Sequence, residues 1–193
     1  AIQMGDKSIT EITCHAKGAY FLDSSVRTII DIGGQDSKVI RLDDQGNVVN
    51  FLMNDKCAAG TGRFLELMAR TLEVDLEALG ALGLNWRTDL TISSVCTVFA
   101  ESEVVSLIAD NHSAADIAHG LHKSVAVKTA ALAKRAGGIA PYMMTGGVAR
   151  NQGVVKALEE RLGAPLWIPE TPDLCGALGA ALFALDGLRG GAG

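Results

Sequence analysis

A chain of 193 residues, 48% hydrophobic and 20% charged, is long and apolar enough to bury a core of one domain or two small lobes. Its formal net charge of -5 leaves no basic footprint for nucleic acid or an anionic membrane. No apolar run approaches the roughly 18 to 20 residues of a spanning helix, and Ala1 to Lys7 carry no apolar signal core, so the expectation is a soluble cytoplasmic protein.

From the start of the chain, Ser8 to Phe21 predicts a helix, with Ser8 and Glu11 spaced as a capping box. Three β-rich runs follow, Thr28–Ile32, Ser37–Leu42 and Val48–Leu52, the last two joined by the turn Asp43-Asp44-Gln45-Gly46, which predicts an antiparallel meander. Helical periodicity then covers Arg63–Leu72, Leu76–Leu82, Val98–Asp110 and Ala114–Ala136, with Gly137-Gly138 as the stop. This helical insert is expected to separate two β units. The second has a strand at Tyr142–Met144, a helix over Val148–Leu162 ended by Gly163, a strand at Leu166–Ile168 and a closing helix over Cys175–Leu188. The Gly190 to Gly193 tail is expected to be disordered.

Two glycine turns each follow an apolar run. In Asp31-Ile32-Gly33-Gly34-Gln35-Asp36, Asp31 ends a strand, where its carboxylate would emerge into a cleft and serve Mg2+ carrying phosphate. Gly33 and Gly34 have no Cβ to block the approach of an anion to their amides; Gln35 would orient an attacking water, and Asp36 would hold metal or cap the turn. In Thr145-Gly146-Gly147-Val148-Ala149-Arg150-Asn151 the pair Gly146-Gly147 opens a helix toward an anionic group or an adenosine, and Arg150 would stack on a purine. Gly60-Thr61-Gly62 is a third cradle of the same kind. Each turn taken alone also reads as ordinary chain reversal; three in one chain favour a nucleotide.

Of four cysteines, too few for a secreted disulfide framework, Cys14 and Cys175 read as buried small hydrophobes. Cys57 and Cys96 each precede a helix, whose partial positive charge favours a thiolate or a thiolate-bound cluster. An Fe-S cluster takes four thiolates, so a two-fold dimer in which each subunit supplies two is one reading; two structural cysteines or half a zinc site are the others. His119 and His122, three apart, could face a metal, but with His112 they read first as histidines on a helix surface; Glu101 and Glu103 read as carboxylates stabilising a helix start, with Glu101 a secondary candidate for a nucleotide contact.

Asn54 to Phe64 (Asn-Asp-Lys-Cys-Ala-Ala-Gly-Thr-Gly-Arg-Phe), Cys96 to Val104 (Cys-Thr-Val-Phe-Ala-Glu-Ser-Glu-Val), Asp31 to Asp36 and Gly146 to Asn151 resemble the ATPase family of 2-hydroxyacyl-CoA dehydratase activators and benzoyl-CoA reductase ATPase subunits. The resemblance runs along nearly the whole chain and implies an α/β fold of the actin, Hsp70 and sugar-kinase type. It implies a single [4Fe-4S] cluster shared by two subunits through Cys57 and Cys96, in a homodimer or paralogous heterodimer. It further implies ATP hydrolysis coupled to delivery of a low-potential electron to an acyl-CoA dehydratase or reductase component, with ferredoxin or flavodoxin as donor. Family members begin with a further β unit whose Asp-x-Gly-Ser/Thr turn grips phosphate from the opposite side, and no such turn precedes residue 31. The expected division is residues 1–25 as the remainder of a first lobe, 26–188 as the phosphate, cluster and adenosine motifs, and 189–193 as a flexible tail, with ATP hydrolysis by this chain impaired. A sugar or small-molecule kinase is the alternative of another class, and gives no reason for the cysteine motifs.

Overall fold

A strand whose residues lack a regular apolar–polar alternation belongs in the middle of a sheet covered on both faces. Thr28–Ile32 forms such a strand, β1, and all five of its residues are buried. The structure is a computed structural model that describes residues 8–54, 58–92 and 96–190. Antiparallel to β1 runs β2 (Ser37–Leu42), and antiparallel to that β3 (Val48–Asn54), which is the expected meander. Its turn is shaped by the Asp43 carboxylate, which accepts from the amides of Gln45 and Asn47, and by Gly46 at φ +81°.

On its other side β1 pairs in parallel with β4 (Tyr142–Thr145), which pairs in turn with β5 (Leu166–Trp167). The five-stranded order is therefore β3-β2-β1-β4-β5, and the two β units flanking the helical insert are one sheet. Asp31 stands level with Thr145 in the β1–β4 register. The two glycine turns thus leave the sheet side by side at the carboxyl ends of neighbouring parallel strands, where α/β sheets hold ligands.

One face of the sheet is covered by α1 (Glu11–Leu22), on which α7 (Cys175–Gly190) lies. These helices cross closely. A Cβ added at Gly18 would sit 2.1 Å from the Cys175 carbonyl oxygen, and one at Gly179 would sit 1.8 Å from that of Cys14. The N-cap of α1 is Thr10, whose Oγ1 accepts from the Thr13 amide at 3.3 Å, and not Ser8 as the capping-box spacing suggests. Glu11 consequently begins the helix and is free to turn toward the sheet. The 191–193 part of the expected tail lies outside the described residues, and α7 itself extends to Gly190.

The other face carries α2 (Gly62–Thr71), α3 (Leu76–Leu84), α4 (Thr97–Ala109), α5 (Ala114–Arg135) and α6 (Gln152–Leu162), around a core that includes Ile30, Ile32, Phe64, Met68, Leu121 and Met144. The predicted helix over Val148–Leu162 is broken. Gly147–Arg150 forms a 3-10 turn, and Asn151 restarts the chain as N-cap of α6, accepting from the Val154 amide at 3.0 Å. An asparagine carboxamide competes with continuous helix by capping, which apolar periodicity does not register. Glu101 and Glu103 fall beyond the first turn of α4. Among the described residues no helix is long and apolar enough to cross a membrane.

His122 departs most from expectation. It is 1% exposed on α5, wedged between Gly83 of α3 and Gly153 of α6, and neither ring nitrogen has a hydrogen-bond partner. The two glycines leave the space that draws it inward, while His119 remains at the surface stacked on Trp86 at 4.3 Å. Burial, with His119 adding to it, pushes the His122 pKa down to about 4. Folding therefore favours the neutral ring: its contribution to stability is complete above the unfolded pKa of about 6.5 and is lost as pH falls toward 4. Urea denaturation is expected to show a stability loss of about 2 kcal/mol between pH 7 and pH 5 that His122→Leu removes. An equal pH slope in the two proteins would contradict the assignment.

Candidate functional site

The first glycine turn closes on itself, with the Gly33 amide donating to the Asp36 carbonyl at 3.0 Å. Its own carbonyls are taken by the next element: Gly33 O accepts from the Gly62 amide at 2.8 Å and Gly34 O from the Arg63 amide at 2.9 Å. The start of α2 is thereby pinned to the end of β1. A Cβ at Gly62 would stand 3.1 Å from Gly33 O, a tight contact that the bare glycine avoids. The amides of Gly62 and Arg63 are consequently engaged with carbonyls and not free for an anion. Gly60, at φ +100°, and Thr61, whose hydroxyl donates to Ala58 O at 2.7 Å, shape the turn behind this junction and do not line the cleft in front of it.

The second turn is held just as closely. Gly146 adopts φ 83° and ψ 167°, and its amide donates to Pro172 O at 2.9 Å. From there Gly147, Arg150 and Asn151 reach a cleft of about 720 Å³ that Gly33, Gly34, Gln35, Gly62 and Arg63 also line. That volume suits a nucleotide-sized ligand. Arg150 is anchored at the mouth by a 2.5 Å ion pair to Asp173, whose carboxyl this contact lowers below its usual range. The facing wall consists of Leu65 and Glu66 of α2 and Leu76 and Glu77 of α3. Sequence reasoning missed all four, because nothing in an amphipathic helix marks which residues a distant turn will face.

Asp31 does not emerge into this cleft. It is 4% exposed, on the side of β1 that faces α1; its Oδ1 accepts from the Thr145 hydroxyl at 2.8 Å and its Oδ2 lies 3.4 Å from Lys38 Nζ. The alternation of a strand explains this, since Ile30 and Ile32 take the face that packs against the helical layer. Lys38, 2% exposed, also reaches Asp36 Oδ1 at 2.8 Å and Glu11 Oε1 at 3.0 Å. Burial opposes its charge, but the bonds to Asp36 and Glu11 and the charge of Asp31 outweigh it and hold the ammonium above the usual lysine range. His15 Nδ1 lies 3.7 Å from Asp31 Oδ1 and has no hydrogen-bond partner. Nothing in the sequence alone singles out Glu11, His15, Lys38 or Thr145 for this cluster; the hairpin register, which sets Asp31 opposite Lys38, was the available signal. Three carboxylates around one ammonium leave the cluster with an excess of negative charge.

Of the cysteines, Cys96 is exposed and is the N-cap residue of α4, while Cys57 lies outside the described residues. Cys14 and Cys175 are buried as expected; burial, with help from Glu11 and Asp31 respectively, raises both thiols, that of Cys175 to about 12. Such thiols are poor metal ligands. Just beyond Cys96, α4 exposes Val98, Phe99 and Val105, with Phe99 69% exposed. Among the described residues there is no group of three or more side chains able to hold a metal ion.

Comparison with known proteins agrees with this geometry. The model of the BadF/BadG/BcrA/BcrD ATPase family matches residues 1–184. The chain is 52% identical over 181 residues to the 2-hydroxyisocaproyl-CoA dehydratase activator of Clostridioides difficile, covering 94% of this chain and 68% of that protein. The solved structure of an activator of the 2-hydroxyisocaproyl-CoA dehydratase from Clostridium difficile with bound ADPNP is similar at a TM-score of 0.94 and 50% identity, covering 98% of this chain and 70% of that one. A benzoyl-CoA reductase subunit of Thauera aromatica stands further off, at 35% identity over 179 residues, covering 89% of this chain and 63% of that protein. With one sheet, paired glycine turns and matches along nearly its whole length, this chain belongs to the BadF/BadG/BcrA/BcrD ATPase family.

Proposed function

We propose that the protein is an ATP-dependent activator that delivers a low-potential electron to a 2-hydroxyacyl-CoA dehydratase. The observation that carries the nucleotide half is the cleft in which the Gly33–Gln35 and Gly147–Asn151 turns meet. In this reading ATP or ADP lies in the cleft with its phosphates toward Gly33 and Gly34 and its purine near Arg150 and Asn151, and residues 26–188 form the working unit. Gly146 and Gly62 bring the walls close enough for contact. Gln35, exposed on the turn, orients the attacking water, and Asp31, fixed by Thr145 and Lys38, orients the charge next to Asp36. Bound Mg2+ supplies charge neutralisation on the phosphates.

For the redox half, we infer that Cys57 and Cys96 of two copies hold one [4Fe-4S] cluster, which supplies one-electron chemistry. The exposed thiol at the start of α4 and the apolar Val98, Phe99 and Val105 beside it support a second subunit against this helix. ATP binding then shifts the segments that hold the two cysteines, so that hydrolysis drives the transfer. Ferredoxin or flavodoxin is the proposed donor. The lower identity to the benzoyl-CoA reductase subunit favours the activator over a stably bound reductase subunit.

The test is iron and sulfide per chain after anaerobic purification of the parent, Cys57→Ser and Cys96→Ser. The expected result is about two irons per chain in a dimer, lost in either variant. Little iron in all three folded proteins would remove the cluster and leave an ATPase without redox function.

A further inference from the structure

We propose that Lys38 is a positioning residue for phosphoryl transfer, its buried ammonium locking the Asp31 carboxylate and the Gly33–Asp36 turn into one geometry. This rests on the nucleotide reading above. Lys38 stands on β2 directly opposite Asp31, and its ammonium gathers carboxylates from three separate elements: Asp31 at the end of β1, Asp36 in the turn and Glu11 at the start of α1. A fully buried lysine is costly where an apolar residue would fill the same interior face of a hairpin at no electrostatic penalty. Its presence there is explained by what it holds.

Two consequences follow from the contacts. Asp31 is gripped at both oxygens, by the Thr145 hydroxyl on Oδ1 and by Lys38 on Oδ2, which leaves its carboxylate one orientation. Asp36 is gripped at its side chain by Lys38 and at its carbonyl by the Gly33 amide, so the same ammonium anchors the turn whose Gly33, Gly34 and Gln35 line the cleft. Lys38 itself does not line the cleft, and it is remote in sequence and in contacts from the Arg150 and Asn151 side. Its loss should therefore impair chemistry while sparing most of the nucleotide affinity.

Simple neutralisation is the rival role, and charge counting separates the two. The cluster carries three carboxylates and one ammonium, a formal charge of -2 from Glu11, Asp31, Asp36 and Lys38. Lys38→Met takes it to -3, and Lys38→Met with Glu11→Gln returns it to -2 without restoring the grip on Asp31 and Asp36. ATP turnover, and fluorescent-ADP affinity with and without Mg2+, would be measured on the parent, both of these variants and Asp36→Asn. Lys38→Met is expected to lower kcat on the order of 30-fold while KM and ADP affinity change about threefold or less, the double variant is expected to stay equally slow, and Asp36→Asn to show a smaller fall of the same kind.

A kcat close to the parent's, a parallel loss of affinity and kcat, or full recovery in the double variant would overturn the proposal. Should Lys38→Met not fold, Asp36→Asn alone decides between these outcomes. A parent that binds ADP without turning ATP over would also overturn the proposal, which concerns turnover alone, and would leave the nucleotide reading standing. A parent that binds no nucleotide would instead sink the nucleotide reading, and this proposal with it.

Discussion

Replacing Gly179 by alanine is expected to destabilise the protein by about 3 kcal/mol or more, although it adds a single methyl group. The added carbon would lie 1.8 Å from the Cys14 carbonyl oxygen and 2.6 Å from its carbon, both backbone atoms of α1 that no rotamer change can move aside. The helices must part, which opens the layer in which Ala16, Ala19 and Cys175 pack on Ile29 and Met143 of the sheet. Gly18→Ala, whose methyl would meet Cys175 O at 2.1 Å, is expected to act alike from the other helix. Gly187, also on α7, has nothing within 4 Å, so Gly187→Ala is expected to be neutral or to stabilise by about 0.5 to 1 kcal/mol through helix propensity. Urea denaturation of the three variants checks this, and similar midpoints for Gly179→Ala and Gly187→Ala would refute the close crossing. Because α1 also carries Glu11 and His15 to the Asp31 cluster, the crossing sets the position of that cluster as well.

Gly146→Ala is expected to lower ADP affinity by at least about tenfold and to cost about 3 kcal/mol of stability. Two separate reasons add. Its φ of 83° with ψ of 167° falls in a region open essentially to glycine alone, a strain of about 1 to 3 kcal/mol for any other residue. A Cβ there would also stand 2.3 Å from the Ile32 carbonyl oxygen, so the end of β4 would be pushed off the end of β1. That distance sets the separation of the two glycine turns and hence the width of the cleft. Gly147 lines the same cleft with nothing within 4 Å, and Gly147→Ala is expected to leave the melting temperature unchanged. Calorimetric ADP titration and thermal melts distinguish them; an affinity within twofold of the parent in Gly146→Ala would show that the turn does not govern binding.

Much of the fold is legible in the sequence because it is written in short-range terms. The run Thr28–Ile32, with isoleucines at 29, 30 and 32, marks a central strand, Asp43 to Gly46 marks a hairpin, and glycines at 137 and 163 stop helices where the periodicity ends. Errors occur where two local signals compete. Ser8 and Thr10 both make good caps, and Asn151 interrupts a stretch that apolar spacing alone would carry through from Val148. Helical spacing misplaces His122 because it cannot tell a surface imidazole from one drawn inward by glycines on two other helices.

By itself, the sequence determined the order of strands and helices, the family, and which glycine turns and cysteines carry its motifs, since each depends on residues close together in the chain. Tertiary structure decided which of those groups meet. It placed Thr145 on Asp31 across 114 positions, set Gly62 against Gly33, turned Asp31 toward Lys38 and away from the cleft, and left Cys96 exposed while burying Cys175. The physical reason is that strand register and helix packing are collective: a side chain's partner is chosen by the alignment of whole elements, which no local pattern of residues specifies.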